Sequence, residues 1–208
     1  MAGSCVTVEE VMAIVEKDVL FYDESGGGVT FSGGEPLMQP AFLLELLDAC
    51  GRRAIHRAVD TSGHADEEVL RAAARKAELF LYDLKLMDSV RHEIMTGVSN
   101  RRILENLRQL SKTGIPVIIR IPLIPGINDD DLNIDQTGAF VSQLRGIREV
   151  DILPFHNSAG HKYAKVGKTY NLRDISAPTA ERLAAVAKRL ERFGLRVRTG
   201  GQPDDTQN

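Results

Sequence analysis

Residues 55–85 read IHRAVDTSGHADEEVLRAAARKAELFLYDLK. Two short apolar runs, 55–59 and 79–82, stop at Asp60 and Asp83 and flank a stretch of helical spacing at 66–77. Strand, helix, strand in that order predicts parallel pairing through a right-handed crossover. The same alternation extends in both directions, with further strands at 29–32, 117–121, 149–153 and 195–198 and helices near 41–50, 100–112, 130–144 and 179–193. Ahead of them, Thr7-Val8-Glu9-Glu10 has the form of a capping box, and Val8, Val11, Met12 and Val15 share one face of the helix it opens. That helix should stop before Ser25-Gly26-Gly27-Gly28. At the other end Pro178 suits a first helical turn, Leu183, Val186, Leu190 and Phe193 make an apolar face, and Gly194 stands where a left-handed residue closes a helix. The alternatives are an open doubly wound sheet and a barrel. A full eight-unit barrel needs about 250 residues, so 208 residues with five to six units favour a partial (β/α) barrel. No linker or repeat divides it, and residues 1–208 are expected to form a single partial-barrel domain.

Composition removes several classes of function. Hydrophobic residues make up 43% and charged residues 26%, the balance of a folded soluble protein. A net charge of -3 supplies no basic field for phosphates, so no nucleic-acid partner is expected. No apolar run approaches the roughly 20 residues of a membrane span, and the start lacks a secretory pattern, which points to a cytoplasmic protein without a membrane partner. Only two cysteines occur, Cys5 and Cys50. A thiolate cluster site normally takes three or four ligands, so this chain cannot build one alone. Cys50, at a helix end, reads as a small buried hydrophobe.

In parallel strand-helix folds ligands bind beyond the carboxyl ends of the strands. Five successive strand ends here deliver Ser32-Gly33-Gly34-Glu35-Pro36, Asp60-Thr61-Ser62-Gly63, Asp83-Leu84-Lys85, Arg120-Ile121-Pro122 and Pro154-Phe155-His156. Singly each has a bland reading as turn, cap or solvated side chain. Jointly they describe a polar small-molecule pocket. Lys85 and Arg120 suit a carboxylate. Glu35 and the carbonyls of the Gly33-Gly34 turn suit an ammonium, because glycine lets the backbone approach a ligand. Asp60, Thr61 and Asp83 offer oxygens that either hold a hard cation or satisfy one another and Lys85. His56, His64 and His92 join no constellation and read as surface residues.

As a set, Val29-Thr-Phe-Ser-Gly-Gly-Glu-Pro-Leu-Met-Gln-Pro40, Asp60-Thr-Ser-Gly63, Tyr82-Asp-Leu-Lys85, Arg120-Ile-Pro-Leu-Ile-Pro-Gly-Ile-Asn128 and Leu153-Pro-Phe-His-Asn-Ser-Ala-Gly-His-Lys-Tyr163 resemble the glycyl-radical enzyme activating enzymes, the group of pyruvate formate-lyase activating enzyme within the radical S-adenosylmethionine superfamily. The resemblance implies an oxidoreductase that reductively cleaves S-adenosylmethionine at a 4Fe-4S cluster, with a glycyl-radical enzyme as protein substrate and flavodoxin or ferredoxin as reductant. It implies that Ser32, Gly33, Gly34 and Glu35 hold the methionine ammonium, that Lys85, Arg120 and His156 contact S-adenosylmethionine, and that Asp60, Thr61 and Asp83 form a monovalent-cation site. It also implies a barrel whose first strand, with a Cys-x3-Cys-x2-Cys cluster loop, is missing from this chain. No radical chemistry is then expected from these residues alone; the alternative is a non-catalytic fragment that binds S-adenosylmethionine or the partner. An unrelated aldolase using Lys85 as a Schiff base is disfavoured by Asp83, which would stabilise the ammonium form.

Overall fold

The computed structural model describes residues 5–156 and 175–200. Six parallel strands, β1 (Gly28–Phe31), β2 (His56–Thr61), β3 (Leu79–Asp83), β4 (Val117–Leu123), β5 (Glu149–Pro154) and β6 (Arg196–Thr199), lie in the order in which they occur in the chain. A doubly wound sheet would reverse direction at a switch point, whereas this sheet winds one way and stays open, with β1 and β6 at its edges. The expected partial-barrel winding and the strand count are therefore met.

The helices are α1 (Val8–Val15), α2 (Val19–Ser25), α3 (Pro40–Arg52), α4 (Glu67–Ala74), α5 (Ser89–Thr96), α6 (Arg101–Ser111), α7 (Asp131–Ser142) and α8 (Ala180–Glu191). The capping box forms as read: the Glu10 N–H donates to Thr7 Oγ1 and the Thr7 N–H to Glu10 Oε2. Gly194 adopts φ +74°, and Val186 and Leu190 are buried. Two helical expectations are corrected. A 3-10 turn, Glu16–Asp18, breaks the opening helix into α1 and α2. So short a turn leaves Val15, Val19 and Tyr22 against the core, so the apolar spacing alone does not reveal it. The second is α5, which no periodicity announces because Val90, Ile94 and Met95 point to solvent rather than into the core.

β4 runs two residues further than expected, through Pro122, although proline has no amide hydrogen to give a sheet. The reason is the uneven length of its neighbours. Asp83 pairs with Arg120 at the end of β3, so Pro122 lies beyond that strand and pairs only with Leu153 of β5. Phe80, Val59, Ile119 and Ile152 are fully buried under the sheet's covering helices. At about 25 cal/mol per Å² of apolar surface removed from water, such side chains hold the strand ends in place with roughly 2 kcal/mol apiece. No helix among the described residues is long and apolar enough to cross a membrane.

Candidate functional site

Four buried asparagines pin the loops beyond the strand ends. Asn106 donates from Nδ2 to the carbonyls of Gly63 and Ala65, both at 2.8 Å. Asn100 bridges the carbonyls of Leu86 and Met87 at 2.9 and 2.8 Å. Asn128 reaches the carbonyls of Pro122 and Lys85, and Asn133 those of Asn128 and Lys85. The side chains replace a backbone ladder that irregular loops cannot make for themselves. The loops after β2, β3 and β4 are thereby fixed relative to one another.

On this frame the expected residues fall into two groups. The first surrounds Glu35. Its Oε1 accepts from Thr61 Oγ1 at 2.6 Å and its Oε2 accepts from the Ser62 hydroxyl at 2.6 Å and the Ser62 N–H at 2.9 Å. Ser62 was not singled out by its residue type, yet it is the main tether of this carboxylate. Glu35 also caps the short 3-10 turn Pro36–Met38 through the Leu37 N–H. The adjoining Gly33 adopts φ +119°, and a side chain at Gly33 or Gly34 would meet nothing within 4 Å. These glycines are not forced by packing; they keep the backbone bare toward open space.

The second group centres on Arg120. Its Nη2 bonds Asp60 Oδ1 and lies 2.9 Å from Asp83 Oδ1, which Nε also reaches at 3.0 Å. The three side chains are only 17–19% exposed. Ser32 Oγ donates to the second oxygen of Asp60 at 2.9 Å. Lys85 Nζ stands 3.9 Å from Asp83 Oδ2. Burial pushes the Asp83 carboxyl above the ordinary carboxylate range, with Asp60 adding to that push and Arg120 and Lys85 opposing it. The Arg120 guanidinium lies between Asp60 and Asp83, while the Thr61 hydroxyl is turned to Glu35. Among the described residues no three His, Cys, Asp or Glu converge as a metal site.

A cavity of about 350 Å³ opens beside these groups and is lined by Glu35, Ser62, Asp83 and Lys85, together with Met38, His64, His92, Thr96, Val98 and Ile103. Arg120 and His156 are not among the residues that line it, and His156 is exposed beyond the end of β5. The remainder of the His156 motif, including His161, Lys162 and Tyr163, lies outside the described residues. The surface reading of the histidines is corrected for two of the three. His56 is exposed, but His64 lines the cavity, and His92 does so while only 3% exposed. The signal for His92 was hidden because α5 itself was not foreseen.

The donor set fits an amino-acid-like ligand: Lys85 and the carboxylates of Glu35 and Asp83 line one cavity, and the bare Gly33-Gly34 turn adjoins Glu35. It does not fit an iron-sulfur cluster. Cys5 is exposed and Cys50 is buried, with its Sγ 3.6 Å from Met12 Sδ, and the sequence holds no other cysteine.

Residues 5–135 match the model of the radical SAM superfamily. The chain is 40% identical over 204 residues to the trans-4-hydroxy-L-proline dehydratase activating enzyme of Clostridioides difficile, covering 97% of this chain and 67% of that one. It is 44% identical over 188 residues to the isethionate sulfite-lyase activating enzyme of Nitratidesulfovibrio vulgaris, covering 88% and 61% respectively. The crystal structure of a domain of pyruvate-formate lyase-activating enzyme from Bacteroides vulgatus superposes with a TM-score of 0.72 at 38% identity, over 84% of this chain and 99% of that domain. The chain therefore spans about two thirds of the length of these curated relatives and nearly all of the solved domain. By sequence and by fold, it belongs to the radical SAM superfamily and, within it, to the activating enzymes of glycyl-radical enzymes.

Proposed function

We propose that these residues are the S-adenosylmethionine-gripping part of an activating enzyme whose protein substrate is a glycyl-radical enzyme. When bound, S-adenosylmethionine is the source of the radical in such an enzyme. This chain's own contribution is to bind and orient it. The carbonyls of the Gly33-Gly34 turn and the remaining lone pairs of Glu35 accept the methionine ammonium, and Lys85 faces the carboxylate. Arg120 ties the ends of β2, β3 and β4 together through Asp60 and Asp83, so that Lys85 and the turn keep a fixed separation. The thiolates of a cluster are not among these residues, and no electron-transfer step is assigned to them.

The observation that carries the proposal is the glycine turn left open beside the cavity. Gly34 lies outside the left-handed region and its missing side chain would meet nothing, so Gly34→Ala should leave stability within about 0.5 kcal/mol. A methyl group there would stand between the ligand and the backbone. Calorimetric titration should show S-adenosylmethionine binding to the wild-type chain and a loss of about tenfold or more in the variant. Failure of the wild type to bind at millimolar ligand, or equal binding by both proteins, overturns the proposal.

A further inference from the structure

His92 is held from one side only. Its Nδ1 lies 2.7 Å from the carbonyl oxygen of Val98 and 3.0 Å from Thr96 Oγ1. A carbonyl can only accept, so Nδ1 carries the proton. The Thr96 hydroxyl donates to the backbone carbonyl of His92 at 2.8 Å, which turns a lone pair of the same oxygen toward that N–H. With the proton fixed on Nδ1, Nε2 on the far edge of the ring is left as a bare acceptor. It has no hydrogen-bond partner among the described residues, although the residue is only 3% exposed. His92 is one of the residues that line the cavity, together with Glu35, Ser62 and Lys85. An imidazole nitrogen without a protein partner, on a residue that lines a cavity with Glu35, Ser62 and Lys85, is placed to accept from a bound ligand.

We infer that His92 is a ligand-binding residue of this cavity, whose Nε2 accepts an N–H from bound S-adenosylmethionine. That ligand offers such a donor at its α-ammonium and at its adenine amine. The inference rests on the reading that this rim takes S-adenosylmethionine, and extends it to a residue on α5, outside every strand-end motif.

The test separates tether from acceptor. His92→Asn keeps an atom near Nδ1 for the Val98 carbonyl but reaches no further, while His92→Gln places an acceptor near the position of Nε2. S-adenosylmethionine affinity should fall about tenfold in H92N and stay within about threefold of wild type in H92Q. Methionine and adenosine, each carrying one of the two donors, are titrated in parallel; the one whose affinity H92N lowers identifies the partner atom. In wild-type protein labelled with 15N-histidine, the resonance missing from H92Q reports His92. It should show a proton on Nδ1 in the free protein and an Nε2 signal that moves on saturation with S-adenosylmethionine. Should H92N fail to fold, this spectrum of the wild type still decides. A proton on Nε2, an Nε2 signal that S-adenosylmethionine leaves unmoved, or an H92N that folds and binds like wild type overturns the inference. A wild type that binds no S-adenosylmethionine removes the broader proposal as well, whereas binding with an unresponsive His92 removes only this one.

Discussion

Gly63 closes the Asp60-Thr61-Ser62-Gly63 turn, and its replacement by alanine should be among the most damaging single-methyl changes in the chain. The residue sits at φ +73°, and an added Cβ would lie 1.7 Å from Tyr82 Oη and 2.1 Å from its Cζ. Tyr82 has no room to retreat: it is fully buried, and burial pushes its phenol far above the ordinary range, so the hydroxyl keeps its proton and donates to the Ile103 carbonyl at 2.7 Å. The left-handed backbone alone disfavours alanine by about 1–2 kcal/mol. Displacing a close-packed ring adds about 1–3 kcal/mol, and leaving the buried Tyr82 hydroxyl unpaired adds about 1–3 kcal/mol. The last two overlap, so the expected loss is about 3–5 kcal/mol, a large part of the roughly 5–15 kcal/mol that holds a domain together. Gly97 isolates the backbone contribution, since it sits at φ +83° with nothing within 4 Å of its missing side chain; Gly97→Ala should lose only about 1–2 kcal/mol. Urea unfolding followed by circular dichroism and tyrosine fluorescence, in a chain without tryptophan, measures both. If the two variants fall within about 0.5 kcal/mol of each other, the steric argument about Tyr82 is wrong.

Arg120→Ala should cost about 2–4 kcal/mol near pH 8 by leaving Asp60 and Asp83 facing each other with only the more distant Lys85 as counter-charge. Burial already raises the Asp83 carboxyl, so the folded state binds its proton more readily than the unfolded chain does; the penalty should grow as pH rises through the folded value and fade below it, and a penalty that stays constant as pH is lowered to the ordinary value of 3.8 would refute the assignment. Glu78 behaves with the opposite sign. Hydrogen bonds from the Arg57 guanidinium, and from its N–H at 2.7 Å, hold the Glu78 carboxyl below the usual range. That contribution is present above the ordinary value of 4.5 and is lost as pH falls through the folded value. The Glu78 side chain is 38% exposed, which screens the pair to about 0.5–1 kcal/mol. Glu78→Gln should therefore lower stability at pH 7 by that amount and flatten the acid limb of the stability curve; an unchanged acid limb would count against it.

The sheet was legible because both signals that build it are local. Each strand is a short apolar run stopped by Gly, Pro or Asp, and each long helix carries its own stripe, so strand order followed from chain order. The rim motifs were legible as places but not as partnerships. Asp60, Asp83 and Arg120 come from three strands, and only the register that pairs Asp83 with Arg120 shows that the guanidinium is drawn between the carboxylates. Asn100, Asn106, Asn128 and Asn133 escaped notice for a related reason. A side-chain amide in a loop or helix has the same residue type whether it faces water or satisfies two carbonyls 5 to 48 residues away in the chain. His92 required both an unforeseen helix and a contact with a carbonyl beyond its end.

The division between the two cations of the rim follows from the same geometry. Lys85 and Arg120 have equal formal claims on a ligand carboxylate, and the planar fork of arginine is usually the better match. Here three bonds to Asp60 and Asp83 occupy one flank of that fork, and the residue is not among those that line the cavity. Turning it toward a ligand would strand two buried carboxylates, a cost that one new ion pair does not offset. Lys85 has no such debt: its Nζ sits 3.9 Å from Asp83, beyond hydrogen-bonding distance, and borders the cavity directly. Its backbone carbonyl, meanwhile, is gripped by Asn128 and Asn133. The lysine thus combines an anchored main chain with an ammonium free to reach, and the arginine does the reverse by fixing three strand ends with its side chain. A rim already ordered in this way would lose little conformational freedom on taking up a ligand.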